Sequence, residues 1–403
     1  MRLKLHTQIF FGIILGIICG ILFREHAVFF QPLGDIFVRM LRMVTVPIVF
    51  TSLVIGVVSL GNIQHLGRLG AKTFGYFLLT GLAAVLLGLL IVNILKPGVN
   101  SNFPIPEDFI ASDYAPSGTY ILDVLQQTIP DNIIRAVVNE EILGIIFFSV
   151  LFGCGLLAIG KKGAACVGFI EGMNDAILKM TEWIMYLAPV GVFSLMATLV
   201  GKMGIAAFKP LGLFMFCVIL GLLVHAVFVY GSVLIFVAKY SPFEFVKRSF
   251  PALATAFSTD SSVVTLPVTM ETLEKEIGVS KKISGFVAPL AATLNMDGTA
   301  LYEAVAAMFI AQVYGVHMNM TQQVIIALTS VLASIGAAGI PSAGLVTMVI
   351  VLRSVNLPLE GIGLLLAIDR VLDMCRTTIN VMGDMCGAIV VSRMEGERLS
   401  VEN

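Results

Sequence analysis

Stretches free of Asp, Glu, Lys and Arg run over 5–23, 43–67, 73–95, 142–160, 183–201 and 210–238. About 20 apolar residues cross a bilayer as a helix, so each stretch predicts one crossing whose ends extend into the flanking charges. Pro47 and Pro189 lie inside two of them and predict kinks. If the six spans alternate, Arg2, Lys4, Arg68, Lys72, Lys161, Lys162, Lys239, Lys247 and Arg248 fall on one side. An excess of Lys and Arg marks the cytoplasmic side. The opposite side receives 97–141, which contains the polar "PIPEDFIASDYAPSG" and the more amphipathic "YILDVLQQTIPDNIIRAVV", suited to short interfacial helices.

Beyond residue 240 the simple pattern stops. "SFPALATAFSTDSSVVTLPVTM" (249–270) is two apolar arms around "TDSS", each too short to cross alone. A full crossing would place Lys281 and Lys282 outside, against the charge bias; a re-entrant hairpin keeps both flanks inside. A second such element follows. No charge occurs between Glu303 and Arg353, and the middle reads "ASIGAAGIPSAG" (333–344), where Gly336, Gly339, Pro341 and Gly344 interrupt a continuous helix. The stretch 304–315 ends one span, 320–352 is a hairpin entering from outside, and 360–392 is the last span, which returns the tail to the cytoplasm. Broken segments paired in inverted orientation point to a secondary transporter whose site lies at the repeat interface. The fold class read from the chain is an all-α polytopic membrane protein with eight transmembrane helices and two opposed re-entrant helical hairpins.

Composition strengthens that reading. Of 403 residues 58% are hydrophobic and 13% charged, against about 25% charged in soluble domains. Mean hydropathy is +0.96. The net charge of −1 carries no sign of nucleic-acid binding. Six cysteines, without paired spacing and within apolar segments, read as small hydrophobes. After "MRLKLH" the first apolar run ends at "FREH" and not at a small-residue cleavage site, so that run is expected to stay in the membrane.

Polar residues concentrate late in the chain. At about 100° per residue, Asp369, Asp373, Arg376, Thr377, Asn380 and Asp384 of the last span share a stripe about 100° wide. A charge at mid-bilayer costs at least about 2.5–3.5 kcal/mol, so the stripe faces an interior, wet or cation-filled site. In "TLNMDGTALYEA" (293–304), Asn295 and Asp297 point some 160° apart on an intact helix. Unwinding around Met296–Gly298 lets both converge. Asp297, Glu303, Asp369, Asp373 and Asp384 outnumber Arg376, an excess that protons or hard cations entering with the substrate would offset. The planar fork of Arg376 suits a carboxylate, and Asp373 suits an ammonium. Ser261, Ser262 and the N–H groups at the hairpin tips suit a second carboxylate. Glutamate or aspartate meets all three requirements.

"TDSSVVTLPVTM", "NMDGTALYEA", "ASIGAAGIPSAG" and "DRVLDMCRTTINVMGD" resemble, in order, segments of the dicarboxylate/amino acid:cation symporter family, which includes the glutamate transporters. The resemblance covers nearly the whole chain. It implies a homotrimer of elevator type with inverted repeats. The scaffold part would be 1–70 (spans 1–2) and 97–204 (external loop, spans 4–5). The transport part would be 71–96 (span 3) and 205–403, the latter with span 6, hairpin 1 at 245–276, span 7, hairpin 2 at 320–353 and span 8. By resemblance, substrate contacts Ser261, Ser262, Thr299, Gly339, Asp373, Arg376, Thr377 and Asn380. One sodium site uses Asn295, Asn380, Asp384 and the Ala291 carbonyl; a second uses backbone at Thr293, Ser334, Ile335 and Ala337; a third uses Thr80, Asn295 and Asp297. Glu303 matches the position that carries the proton in proton-coupled relatives, so the resemblance implies Na⁺, H⁺ or both as coupling ions.

Departures from the family are Gly81, where sodium-coupled relatives have a hydroxyl residue, and Asp260, where some prokaryotic relatives have Arg. A C4-dicarboxylate symporter of the same fold lacks the ammonium acceptor at the place of Asp373. A neutral amino acid carrier disagrees with Arg376. An intramembrane aspartyl protease disagrees with "VMGDM", which is not G-x-G-D, and with an Arg in the same stripe. Two opposed hairpins favour alternating access over a channel. "NMT" at 319–321 matches a glycosylation acceptor triplet.

Overall fold

A computed structural model describes residues 5–59, 63–101, 129–139, 142–203, 208–335, 343–397 and 399. Among them the secondary structure is helical, with no strand. In chain order, α1 (Leu5–Phe23) turns through the 3₁₀ segment Arg24–Phe30 into α2 (Gln31–Ser59), and α3 is Ile63–Leu95. Then come α4 (Ile133–Val138), α5 (Ile142–Ile159), α6 (Ala164–Met185) and α7 (Ala188–Met203). The next helix, α8 (Phe208–Val224), runs on through π-helical turns His225–Tyr230 and Leu234–Ala238.

Two antiparallel pairs and three further helices follow among the described residues. The first pair is α9 (Pro242–Thr259) and α10 (Ser262–Glu271); α11 is Lys281–Leu294 and α12 Asp297–Val313. The second pair is α13 (Met320–Ile335) and α14 (Ala343–Ser354), and α15 spans Ile362–Met394. Both broken segments expected from the sequence are thus pairs of helices. Residues 102–128, most of the stretch expected to be external, and residues 336–342 between α13 and α14 lie outside the described residues.

Apolar exposure argues for lipid around this bundle. On one face of α3, Leu79, Leu86, Leu90 and Ile94 are 68%, 54%, 57% and 68% exposed, a stripe that water would not stabilise. Among the described residues four stretches are long and apolar enough to cross a membrane: Phe11–Phe37, Leu69–Leu95, Gly144–Met180 and Lys209–Ala238.

The helices differ from the charge-free stretches in an instructive way. The stretch 43–67 is divided between α2 and α3, and α2 extends back over Asp35 and Arg39. A whole helix, α6, was passed over because Glu171, Asp175, Lys179 and Glu182 interrupt it. Counting charge-free residues finds spans that are apolar all round and loses amphipathic ones. Pro189 stands at the start of α7, just after the turn at Tyr186–Leu187, so it marks a break between two helices and not a kink within one.

Local chemistry fixes the pair boundaries. Ser241 caps α9 by accepting from the Glu244 N–H, with Pro242 in the first turn. Asp260 ends α9 in the left-handed region at φ 57°, and Ser261 starts α10 by accepting from the Val264 N–H at 3.2 Å. Asn319 and Gln322 form a reciprocal capping box at the head of α13, each side chain accepting from the other's N–H at 2.9 Å. The Asn of "NMT" therefore has a structural task at a helix start.

At the centre lies α12, buried along its whole length except Gln312. It packs on α3, α8, α13, α14 and α15, while α1, α2, α5, α6 and α7 pack chiefly among themselves. A central helix surrounded by protein is where intramembrane carboxylates are tolerated.

Candidate functional site

The polar stripe of α15 faces α12 and the turn of the first pair. Arg376 is fully buried. Its Nη1 donates to Asp369 Oδ1 at 3.0 Å, its Nη2 donates to Asp373 Oδ1 at 2.5 Å, and its guanidinium carbon lies 3.8 Å from the centre of the Tyr302 ring. The ring supplies a cation–π contact from below. Nε has no partner among the described residues. The second pair also reaches this group: a Cβ on Gly344 would stand 3.3 Å from Nη2.

Around Arg376 the other expected substrate residues assemble. Ser261 and Ser262 are buried at the head of α10. Thr377 donates to Asp260 Oδ1 at 3.2 Å, which ties the first pair's turn to α15. Asp260 also pairs with Arg370. Asn380 accepts from the Gly298 N–H at 2.8 Å and donates to Thr299 Oγ1 at 3.3 Å. Gly339 lies outside the described residues.

The chain interruption in "TLNMDGT" is at Asn295–Met296, between α11 and α12. Gly298 does not form the break; it sits inside α12. A Cβ there would lie 2.7 Å from the Arg376 carbonyl oxygen and 3.0 Å from its Cα, so glycine is required by the close approach of α15. Gly298→Ala is expected to destabilise the fold by about 1–3 kcal/mol, read as a lower melting temperature of detergent-purified protein. An unchanged melting temperature contradicts the tight crossing.

The expected convergence of Asn295 and Asp297 does not occur: Asn295 lies in the break, Asp297 is the first residue of α12, and the two go to different partners. Asn295 Nδ2 donates at 2.8 Å to both the Asn380 carbonyl and Asp384 Oδ1, while its own Oδ1 is buried without a partner among the described residues. These are members of the first expected sodium set; the fourth, the Ala291 carbonyl, accepts the Asn295 N–H at 2.7 Å. An orphaned amide oxygen beside a carboxylate and a carbonyl is the donor set a hard monovalent cation takes. Among the described residues no three His, Cys, Asp or Glu side chains are grouped to hold a metal ion.

Of the residues named for the second and third cation sites, Ser334, Ile335 and Asp297 line one cavity, while Thr80, Thr293 and Asn295 are not part of its lining. Gly81, Leu294 and Met296 line it as well. Thr293 is exposed, its hydroxyl turned to the Leu290 carbonyl at 2.9 Å, and Thr80 donates to the Phe77 carbonyl at 3.2 Å. Ala337 lies outside the described residues. Asp297 already has two partners that sequence reasoning missed. Tyr230 donates to Oδ2 at 2.9 Å, and His225 Nε2 lies 3.1 Å from the same oxygen. In an α-helix, positions five apart point about 140° apart; the wider π turn His225–Tyr230 brings both onto one side. The available signal was a histidine in the middle of a charge-free span.

Glu303, also fully buried on α12, accepts from the Thr347 hydroxyl of α14 on Oε1, and its Oε2 has no partner among the described residues. Asp260 and Arg370 add one charge of each sign to the interior set, so the excess of carboxylates over guanidinium groups is unchanged.

A model of the Sodium:dicarboxylate symporter family matches residues 5–394. The chain is 38% identical over 407 positions to a proton/sodium-glutamate symport protein of Bacillus caldotenax, covering 98% of this chain and 96% of that one. It is 33% identical to a C4-dicarboxylate transport protein of Bacillus subtilis (strain 168), over 98% of this chain and 94% of that one. It is also 33% identical to excitatory amino acid transporter 3 of Homo sapiens, over 96% of this chain and 85% of that one. With a family match over almost its entire length, and with helices apolar enough to span a bilayer, the chain belongs to the sodium:dicarboxylate symporter family of integral membrane transporters and is not an enzyme.

Proposed function

We propose that the protein is a secondary active symporter that takes up glutamate or aspartate together with Na⁺, H⁺ or both. The carrying observation is the buried Arg376 with an unpartnered Nε–H, flanked by Asp373 and by the Ser261–Ser262 turn. Arg376 binds the side-chain carboxylate, Asp373 the ammonium, and Ser261 and Ser262 with tip N–H groups the α-carboxylate. Thr299, Thr377, Asn380 and Gly339 complete the pocket. Cations sit at Asn295, Asn380, Asp384 and Ala291, and at Thr293, Ser334, Ile335 and Ala337. A third set, Thr80, Asn295 and Asp297, has Gly81 in place of a hydroxyl. Glu303 carries the proton.

In this reading eight helices span the plasma membrane with both termini cytoplasmic, and the two helix pairs are re-entrant hairpins of inverted repeats. Residues 1–70 and 97–204 are the scaffold of a homotrimer; 71–96 and 205–403 move as an elevator, with the second hairpin as the external gate. The separate packing of α1, α2 and α5–α7 supports that division. Supporting acidic amino acids over C4-dicarboxylates is Asp373, which besides pairing with Arg376 offers a carboxylate to a ligand's ammonium. Membership of a transporter family sets the protease reading aside.

Proteoliposomes given labelled glutamate, aspartate and succinate under separately imposed Na⁺ and H⁺ gradients provide the test. Accumulation of an acidic amino acid driven by at least one gradient is expected. Equilibration without accumulation under both gradients overturns the symport reading.

A further inference from the structure

Asp260 stands where the backbone alone favours another residue. It ends α9 at φ 57°, in the left-handed region that glycine enters at less cost, and its side chain has no exposure. A carboxylate taken out of water costs free energy unless it is paired. Here both oxygens have partners, and both partners belong to α15. Oδ1 accepts from the Thr377 hydroxyl at 3.2 Å, and Oδ2 forms an ion pair with Arg370 Nη1. Positions 370 and 377 are about two helical turns apart on one face. One carboxylate therefore spans two turns of α15 and fastens the first pair's turn to it.

The residues held by this strap are those assigned to the substrate. Ser261 and Ser262 follow Asp260 directly, with Ser261 fixed at the head of α10 by the Val264 N–H at 3.2 Å. Thr377 is itself one of the two anchors. Arg370, by contrast, has no part in the substrate reading, and its side chain is 20% exposed. It reaches a wholly buried carboxylate from a partly exposed position.

We propose that Arg370 is a positioning residue for substrate binding: acting through Asp260, it holds Ser261, Ser262 and Thr377 in the arrangement that receives the ligand, without touching the ligand itself. This rests on the acidic amino acid reading above and deepens it. With the strap cut, the turn occupies that arrangement only part of the time, and apparent affinity falls by the same fraction.

Uptake of labelled L-aspartate into proteoliposomes of the full-length protein, with inward Na⁺ and H⁺ gradients imposed together, gives KM and the maximal rate. Arg370→Gln is expected to raise KM about tenfold, the scale of one charge-assisted contact, with the maximal rate within about threefold of wild type. That variant also leaves a buried carboxylate unpaired, which by itself destabilises the fold. Asp260→Asn combined with Arg370→Gln removes both charges. Asparagine tolerates the left-handed backbone and keeps an acceptor for Thr377. The double variant is expected to melt near the wild-type temperature and still to show the raised KM. A wild-type KM in Arg370→Gln, or a return to it in the double variant, overturns the proposal while leaving glutamate or aspartate transport standing. So does a fall in maximal rate at unchanged KM. A wild type that accumulates no acidic amino acid under the combined gradients overturns the transport reading and this proposal with it.

Discussion

Arg376→Cys is expected to abolish uptake of glutamate and aspartate. The guanidinium holds Asp369 and Asp373 at 3.0 and 2.5 Å in a site with no exposure, so its removal leaves two buried carboxylates facing each other. Stripping one partner from a buried ion pair costs about 3–5 kcal/mol. The proposed carboxylate contact through Nε, a charge-assisted bond worth about 1.5–3 kcal/mol, is lost as well. Together these predict a fall in acidic amino acid affinity of at least about a thousandfold. Equilibrium binding and uptake into proteoliposomes, with elution volume as a control for folding, measure it. Arg376→Lys keeps a charge without the planar fork and is expected to fall between the two. Glutamate affinity equal to wild type in a well-folded Arg376→Cys protein removes Arg376 from the substrate site.

How much of this site the chain disclosed depends on the distance over which each contact is made. The stripe Asp369–Asp384 is a property of one helix, and helical period alone puts those residues on one face. The two broken segments were visible because Gly, Pro and a polar turn interrupt apolar runs that are too short to cross. Contacts between helices were hidden. Asp260 and Arg370 are far apart in sequence, and only the docking of the first pair on α15 makes them partners. The Asp297 partners were hidden by a second cause, because a π turn changes which face His225 and Tyr230 occupy and has no composition of its own. Gly298 was legible as special and misread in kind. A glycine beside a break suggests freedom of backbone, whereas here it makes room for a neighbouring helix.

Glu303→Gln separates the two coupling ions. Of the interior carboxylates, Asp369 and Asp373 are paired with Arg376, Asp297 is bonded by Tyr230 and His225, and Asp384 is bonded by Asn295 next to the Asn380 carbonyl. Glu303 has Thr347 on one oxygen and, among the described residues, no partner on the other and no ion pair. A group that must be charged in one half of a cycle and neutral in the other is best left without a direct ion pair. Gln keeps the acceptor for Thr347 but has no proton to release, so the geometry survives and the proton route does not. One pH unit is worth about 1.4 kcal/mol, or tenfold accumulation for each proton moved. In the wild type, an interior more alkaline than the outside is expected to drive glutamate accumulation on that scale. The Gln variant is expected to lose this response, to retain glutamate binding within about threefold and to keep whatever sodium dependence the wild type has. Accumulation by the variant under a pH difference alone assigns the proton to another group. Thr347 belongs to α14, one arm of the pair proposed as the external gate. The protonation state of Glu303 is therefore felt where the gate rests, so its loss is expected to change net uptake more than exchange of internal for external glutamate.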